Sequence, residues 1–396
     1  MNSKSPTMNC NYLGSYQTRL IISESEQSAD MFYATKFRVP DEFIFLEHRG
    51  KSMVLLPDLE IDRGRCEAKV DEVFSFSDWQ NSLLQKKSSV KKRTTSSATP
   101  SYAETVAAFI KKYGSLKVVV PATFPLGLAR ALERAGVTLK PVEGMLFPER
   151  QIKQLHEIKA LKQALRITEA GLARAYEVLR GATIGKKNLL SWQGTSLTSE
   201  RLRCEVEETM QRAGGIVSGS SIIACGEQAC DPHERGYGNL YAHKLIILDF
   251  FPRHAASGYY GDMTRTVVRG KASAAQRHLW DTCLAGQKLA LRDLKPGASG
   301  KIIHQTVQDF FTKAGYPTEQ KNGRWSGFFH NTGHGLGLDL HEAPRFNVAT
   351  FTEKNVFAVE PGIYIPGVGG VRHEDVALIT KTGYRLLSRF PKELEI

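Results

Sequence analysis

No run of apolar residues in this chain approaches the ~20 needed to cross a bilayer, which excludes a helical membrane protein. The opening Met1-Asn2-Ser3-Lys4-Ser5-Pro6 lacks the make-up of a signal peptide, so a cytoplasmic protein is expected. Cysteine is sparse. The six present (Cys10, Cys66, Cys204, Cys225, Cys230, Cys283) are scattered, with no C-x-x-C pair. They read as reduced thiols, and Cys225 and Cys230 as packing residues rather than metal ligands. No short-period repeat is present either. What is in excess is positive charge, a formal +12. Part of it lies in Lys86-Lys87-Ser88-Ser89-Val90-Lys91-Lys92-Arg93, followed by Thr94-Thr95-Ser96-Ser97, which reads as an exposed loop. No nucleic-acid-binding fold accompanies that run, so it is expected to be a solvated face and not a nucleic-acid site.

At 396 residues, 41% hydrophobic and 24% charged, the chain can bury the cores of two domains. It divides near residue 148. Before that point, strand-like runs at 18–22, 42–46, 52–56 and 116–121 alternate with helical ones, most clearly 102–112 and 126–135, the latter ended by Gly136. This is the pattern of an α/β domain, and it holds no catalytic constellation. After Pro148-Glu149-Arg150, the residues Leu155, Ile158, Leu161, Leu165, Leu172, Tyr176 and Leu179 recur at helical spacing and read as a core stripe. Further helices are expected at about 200–213, 274–294 and 301–314, each stopped by Gly or Pro-Gly. Helices covering one face of an antiparallel sheet make the second part α+β.

Chemistry concentrates in that second part. Leu245-Ile246-Ile247-Leu248 is a short buried strand ending in Asp249, and Asp262-Met263-Thr264-Arg265-Thr266-Val267-Val268 reads as its hairpin partner. Two bare carboxylates about 5 Å apart across a hairpin repel, unless bound cations cancel the repulsion. The segment His330-Asn331-Thr332-Gly333-His334-Gly335-Leu336-Gly337-Leu338-Asp339-Leu340-His341-Glu342-Ala343-Pro344 threads three histidines through glycines that let backbone approach a ligand closely. Val356-Phe357-Ala358-Val359-Glu360 and Gly369-Gly370-Val371-Arg372-His373-Glu374-Asp375-Val376-Ala377-Leu378-Ile379 read as paired apolar strands, each carrying an acid. Period-2 alternation puts Arg372 and Glu374 on one face and His373 on the other, so a buried Arg372–Glu374 ion pair is one use of these residues. Asp249, Asp262, His334, Glu360 and Glu374 together form an oxygen-rich ligand set suited to two divalent cations.

These stretches resemble the pita-bread metallopeptidase family, which includes methionine aminopeptidase, prolidase, aminopeptidase P and creatinase. The matching motifs are Asp249 with Asp262-Met263-Thr264-Arg265-Thr266, Gly333-His334-Gly335-Leu336-Gly337 with His341-Glu342-Ala343-Pro344, Val359-Glu360-Pro361-Gly362, and Val371-Arg372-His373-Glu374-Asp375. The resemblance implies a pita-bread catalytic domain over 149–396, built of pseudo-twofold halves near 150–270 and 271–390. It also implies that 1–148 is a creatinase-like N-terminal domain of the Xaa-Pro branch. It implies Asp249, Asp262, His334, Glu360 and Glu374 as metal ligands, with His233, His341 and Glu360 as catalytic residues and His330 as a residue near the substrate; Arg372 is taken as a second substrate contact. The Asp249–Asp262 hairpin is about two residues longer than is usual in that family, which would alter a pocket rim around Arg253, His254 and Tyr259.

The expected activity is dinuclear metal-dependent hydrolysis of the bond between an N-terminal residue and proline, as an Xaa-Pro aminopeptidase or dipeptidase. The expected partners are a peptide with proline in second position and a second copy of the chain. Carboxylate-rich ligation makes Mn²⁺ the first expectation, ahead of Zn²⁺, Co²⁺ or Fe²⁺. The contrasting readings are an inactive binding module on the same fold, which would have no reason to keep all five ligands, and methionine aminopeptidase-like specificity.

Overall fold

The computed structural model describes residues 17–90, 99–217 and 221–396. Cys10, the opening segment and residues 91–97 of the basic run therefore lie outside the described residues. The chain forms two compact units, one reaching to Glu149 and the other running from Arg150 to Ile396.

In the first unit six described strands form one mixed sheet, in the spatial order Glu72–Ser75, Lys51–Leu56, Phe43–His48, Thr18–Ser23, Lys117–Val120, Thr138–Pro141. Alternation along Thr18–Ser23 sends Leu20 and Ile22 to one core with Val106, Phe109 and Ile110, and Ile21 to another with Phe45 and Phe147. A sheet covered on both faces explains why its strands carry consecutive apolar residues, such as Leu20-Ile21-Ile22 and Met53-Val54-Leu55-Leu56, rather than a polar–apolar alternation. The helix Tyr102–Tyr113 starts on a reciprocal capping box between Ser101 and Glu104, which satisfies two otherwise orphaned backbone donors. The basic run is corrected here: its first half is not a loop but the end of the helix Phe76–Val90. Buried Trp79 and partly buried Leu83 anchor that helix to the sheet core. Lys and Gln propagate a helix well, so a polar composition did not mark a loop.

The second unit begins with the helix Leu155–Gly181, whose residues Ile158, Leu161, Leu165, Leu172, Tyr176 and Leu179 are buried. Leu155, expected in that stripe, is 76% exposed instead, because it occupies the first turn ahead of the packed face. The helix Ser199–Arg212 follows, and then an antiparallel sheet of Ile222–Cys225, Leu245–Phe250 and Met263–Val268. The same order recurs: helices Ala274–Arg292 and Gly300–Lys313, then a sheet of Gly333–Gly335, Val356–Val359, Asp375–Ile379 and Tyr384–Leu386. The organisation is the expected α+β. Among the described residues no helix is long and apolar enough to cross a membrane.

Two strand expectations are revised. The run 369–379 is not one strand. Gly369–Arg372 pairs with Gly362–Ile365, and Asp375–Ile379 pairs with Val356–Val359, with His373 and Glu374 at the break. Pro361 interrupts the opposite side in the same place, because proline cannot donate to a ladder. Asp249 and Asp262 are not directly opposed either. Asp249 pairs with Thr264, and Asp262 stands just ahead of its strand as a diagonal neighbour.

Helices Ala274–Arg292 and Gly300–Lys313 cover the second sheet through Leu279, Cys283, Val307 and Phe311, against Phe357, Val359 and Ala377. Phe311 is fully buried and meets Phe328 edge-on at 5.4 Å between centroids. The facing helix presents Gly286, where a Cβ would stand 2.3 Å from the Phe311 ring. That close approach leaves no slack to refill a void. Phe311→Ala is therefore expected to lower the unfolding free energy by about 3–5 kcal/mol in denaturant titration. A loss below about 1 kcal/mol would show that the ring does not hold these helices to the sheet.

Candidate metal centre

Of the five side chains expected to meet, Asp262, Glu360 and Glu374 gather around His334, and Asp249 acts electrostatically on those three acids; each is carried on or beside a different piece of strand. Asp249 lies near the end of Leu245–Phe250, and Asp262 immediately before Met263–Val268. His334 is central to Gly333–Gly335 and pairs with Ala358. Glu360 follows Val356–Val359, its amide donating to Thr332 O at 2.8 Å. Glu374 sits in the break described above, its amide donating to Thr264 O at 3.2 Å. One ligand atom from each of Asp262, His334 and Glu374 lies within 4.8 Å of the others. His334 Nε2 is 3.4 Å from Asp262 Oδ2, 3.7 Å from Glu360 Oε1 and 3.9 Å from Glu374 Oε1.

Burial makes this cluster electrostatically expensive. It raises the Asp262 pKa to about 6, with the Asp249 charge adding to the effect. Burial likewise raises Glu360 to about 7, and it pushes Glu374 well above the carboxylate range, reinforced by Asp262 and Glu360. Burial opposes charge on His334, but the Asp262 hydrogen bond and the Glu360 charge outweigh it and raise that ring to about 9. Asp249 is held by Arg372, whose Nη2 donates to Oδ2 at 2.7 Å, while Asp249 Oδ1 is buried without a hydrogen-bond partner. A buried carboxylate oxygen without a donor, beside three acids that resist ionisation, fits a divalent cation. The donor set of four carboxylates and one imidazole fits a hard or borderline ion.

The histidines divide by environment. His341 is exposed, yet its ring centroid lies 4.3 Å from that of His334. Desolvation lowers its pKa to about 4, and the nearby His334 and His233 act in the same direction. His233 is exposed, with its amide donating to Asp231 Oδ1 at 3.2 Å. It acts electrostatically on both His341 and His330, so the three share one region. His330 has both ring nitrogens engaged, with Asn331 O at 2.8 Å and the Tyr364 hydroxyl at 2.9 Å, and burial lowers its pKa to about 3.

Arg372 is corrected. Its guanidinium is buried and engages Asp249, the Thr264 and Tyr364 hydroxyls, and Pro232 O. All three of its nitrogens donate to protein, which ties the guanidinium to Asp249, Thr264 and Tyr364. It does not pair with Glu374, which accepts instead from the Thr264 hydroxyl at 2.8 Å. The supposed rim is revised as well. Tyr259 is buried and donates to Glu157, and Arg253–His254 pairs with Gly215–Ile216. The extra hairpin length thus packs against the helix Leu155–Gly181.

Sequence reasoning missed Thr264, Tyr364 and Glu342. Thr264 stands two residues after Asp262, hence on the same strand face, a signal that was available. Tyr364 sits four residues after Glu360 and joins His330 to Arg372. Glu342 is buried beside His341 against Arg150 and Lys153, which lie nearly 200 residues earlier and carried no local signal.

Comparisons with known proteins point to one family. The model of the family described as metallopeptidase family M24 matches residues 159–381. The Xaa-Pro dipeptidase of Pyrococcus horikoshii is 30% identical over 289 residues, covering 69% of this chain and 74% of that one. The solved prolidase from Pyrococcus horikoshii OT3 superposes with a TM-score of 0.74 at 25% identity, covering 96% of both chains. The X-Pro aminopeptidase from Thermotoga maritima MSB8 shares the fold with a TM-score of 0.77 at 22% identity, covering 96% of this chain and 98% of that one.

A cation entering this cluster must displace protons from Asp262 and Glu360. Their folded pKa values, about 6 and about 7, lie above the unfolded value of about 4. In the metal-free protein their contribution to stability is therefore present below about pH 4 and lost as pH rises through 6–7. A bound divalent ion reverses that loss. The rise in Tm produced by saturating Mn²⁺ is thus expected to grow between about pH 5 and 7.5, with proton release in calorimetry. A shift that is flat or shrinks over this range would mean the acids are not the ligands.

Proposed function

Because the chain belongs to metallopeptidase family M24, with a pita-bread catalytic domain preceded by a smaller α/β domain, we propose that it is a dinuclear metal-dependent peptidase cleaving the bond between an N-terminal residue and proline. The observation that carries this reading is the convergence of Asp262, His334 and Glu374 ligand atoms within 4.8 Å, with Glu360 beside the same imidazole. Asp249, whose second oxygen lacks a donor, completes the set. The Xaa-Pro preference is taken from the relatives' activity, the Xaa-Pro dipeptidase of Pyrococcus horikoshii foremost. In this reading 149–396 is the catalytic domain and 1–148 supplies no ligand. Five unpaired cysteines among the described residues suit a reducing compartment, and we place the protein in the cytoplasm.

Two divalent ions, Mn²⁺ by the oxygen-rich donor set, would supply Lewis acidity at the scissile carbonyl and a water acidic enough to ionise near neutral pH. The chain's own residues do the rest. The Glu360 side chain is 21% exposed, against 11% for Asp249, 6% for Asp262 and 2% for Glu374. It is thus the carboxylate facing incoming substrate and water. It takes the proton of the attacking water and delivers it to the departing amine nitrogen as the C–N bond breaks. His341, kept neutral near pH 7, donates its N–H to the carbonyl oxygen as negative charge develops there, and His233 lies on the same side. Arg372, Thr264 and Tyr364 fix Asp249 and Glu374 from below.

Elemental analysis of Mn²⁺-loaded protein is expected to approach two ions per chain. His334→Ala should deplete metal, whereas His341→Ala should keep it and lower kcat by about 10²-fold or more. Equal metal retention in both variants would overturn the separation of ligand from catalyst.

An X–Pro bond has no amide hydrogen, so a site that grips the carbonyl rather than the N–H is suited to it. Replacing that proline by alanine in an otherwise identical peptide is expected to reduce kcat/KM at least about tenfold, roughly 1.4 kcal/mol of transition-state binding. Equal or faster cleavage of Met-Ala-Xaa would move the protein to methionine aminopeptidase-like specificity.

A further inference from the structure

Outside the ligand cluster, a buried charge cluster is centred on Glu342, the residue that follows His341. Glu342 Oε1 accepts from Lys153 Nζ at 2.6 Å and Oε2 accepts from Arg150 Nη2 at 2.6 Å. The side chains of Lys153, Glu342 and Arg150 are 1%, 2% and 4% exposed. Arg150 also holds the half-exposed Asp339 at 2.7 Å, and the Asp339 amide donates to Glu342 Oε2 at 3.3 Å. The two cations hold the Glu342 carboxyl below its ordinary range although burial opposes this, so it is ionised at working pH.

Buried ion pairs of this kind contribute little net stability compared with apolar residues of the same shape, since desolvation offsets the attraction. What they fix is position. Here the fixed object is the turn between His334 and His341. The turn is closed at its base, where the Glu342 amide donates to Gly335 O at 2.9 Å. Within it Gly337 N donates to Asp339 O at 3.1 Å, and across to the hairpin Tyr260 N donates to Gly337 O at 2.9 Å. The Glu342 carboxylate fills the inside of the turn. A Cβ on Gly337 would stand 2.2 Å from Oε1, so only glycine fits there. Lys153 is itself immobilised, its amide donating to Lys354 O at 2.9 Å and its ammonium to Arg150 O. Two cations ahead of the first long helix therefore grip the residue next to His341 through a turn whose other end is His334.

The geometry points to Lys153 and Arg150 as positioning residues that act through Glu342 to set where the His341 ring stands relative to His334 and the scissile carbonyl. This rests on the catalytic reading of His341 given above. Neither cation touches substrate. Their effect is felt in the transition state, where a misplacement of the order of 1 Å is costly, more than in substrate binding.

The test is a double-mutant cycle on the Mn²⁺-loaded full chain. Lys153→Met keeps the length of the stem but removes the charge. It is expected to lower kcat about tenfold, leaving KM within about twofold and metal content unchanged, with Lys153→Arg recovering most of the loss. Gly337→Ala, which displaces the carboxylate from the opposite side, should reproduce the same split. In a His341→Ala background Lys153→Met should have no further effect on kcat, because its target is gone. If it lowers kcat as much there as in the wild type, or if metal is lost with it, the positioning role is overturned while the function stands. If His341→Ala alone leaves kcat unchanged, the catalytic reading of His341 falls and this inference falls with it.

Discussion

Four carboxylates crowd one buried site, and Arg372 is the guanidinium set against them. Most of the catalytic unit is arranged around that imbalance. A single Asp–Arg pair cannot neutralise the cluster, and Asp262, Glu360 and Glu374 accordingly resist ionisation. The repulsion has to be held in place by covalent geometry and packing until a cation relieves it. Each acid is therefore borne on or beside a strand of an antiparallel sheet whose other face is packed by helices. The stiffness that Phe311, Phe357 and Val359 give the core keeps the acids from moving apart.

Below the acids runs a layer of neutral and cationic donors that decides where each oxygen points. Thr264 bridges Arg372 and Glu374, and Tyr364 bridges Arg372 and His330. Arg265, fully buried, ties the neighbouring backbone together by donating to Glu374 O, to Asp375 Oδ1 at 2.9 Å and to the chain near Pro391. These donors leave Asp249 Oδ1 without a hydrogen-bond partner, and Glu360 is the most exposed of the four acids. One layer sets geometry and the other carries chemistry. Arg372, though it sits among the motifs, is buried and bonded to protein in the lower of these layers.

His341 stands apart from that double layer, on a turn held by the buried Glu342 carboxylate, by the Arg150–Asp339 pair and by the Tyr260 amide on Gly337 O. The turn is rich in glycine, and glycine alone gives no stiffness. Stiffness is lent by two cations ahead of the first long helix, reached across most of the catalytic unit's sequence. A turn that must be supple enough to wrap a carboxylate and yet hold a ring in place is where buried charge is more useful than apolar packing, because hydrogen-bonded ions fix direction as well as distance.

The sequence by itself determined the elements with strong local codes: the strand-like run at 18–22, the continuous apolar strand at 245–248, the periodic helices, and the five candidate ligands in their chain order. Those ligands were legible because an acid or imidazole among apolar or glycine neighbours is anomalous at the level of a few residues. The helical end of the basic run was not legible, since its anchors, Trp79 and Leu83, precede the polar stretch. The break at His373 and Glu374 followed from a proline on a strand paired only in three dimensions. The diagonal offset of Asp249 and Asp262, the burial of Arg372, and the grip of Arg150 and Lys153 on Glu342 were likewise decided by tertiary structure. Each depends on a partner far away in the chain, and hydrogen bonds and ion pairs between distant residues leave no periodicity for a local pattern to display.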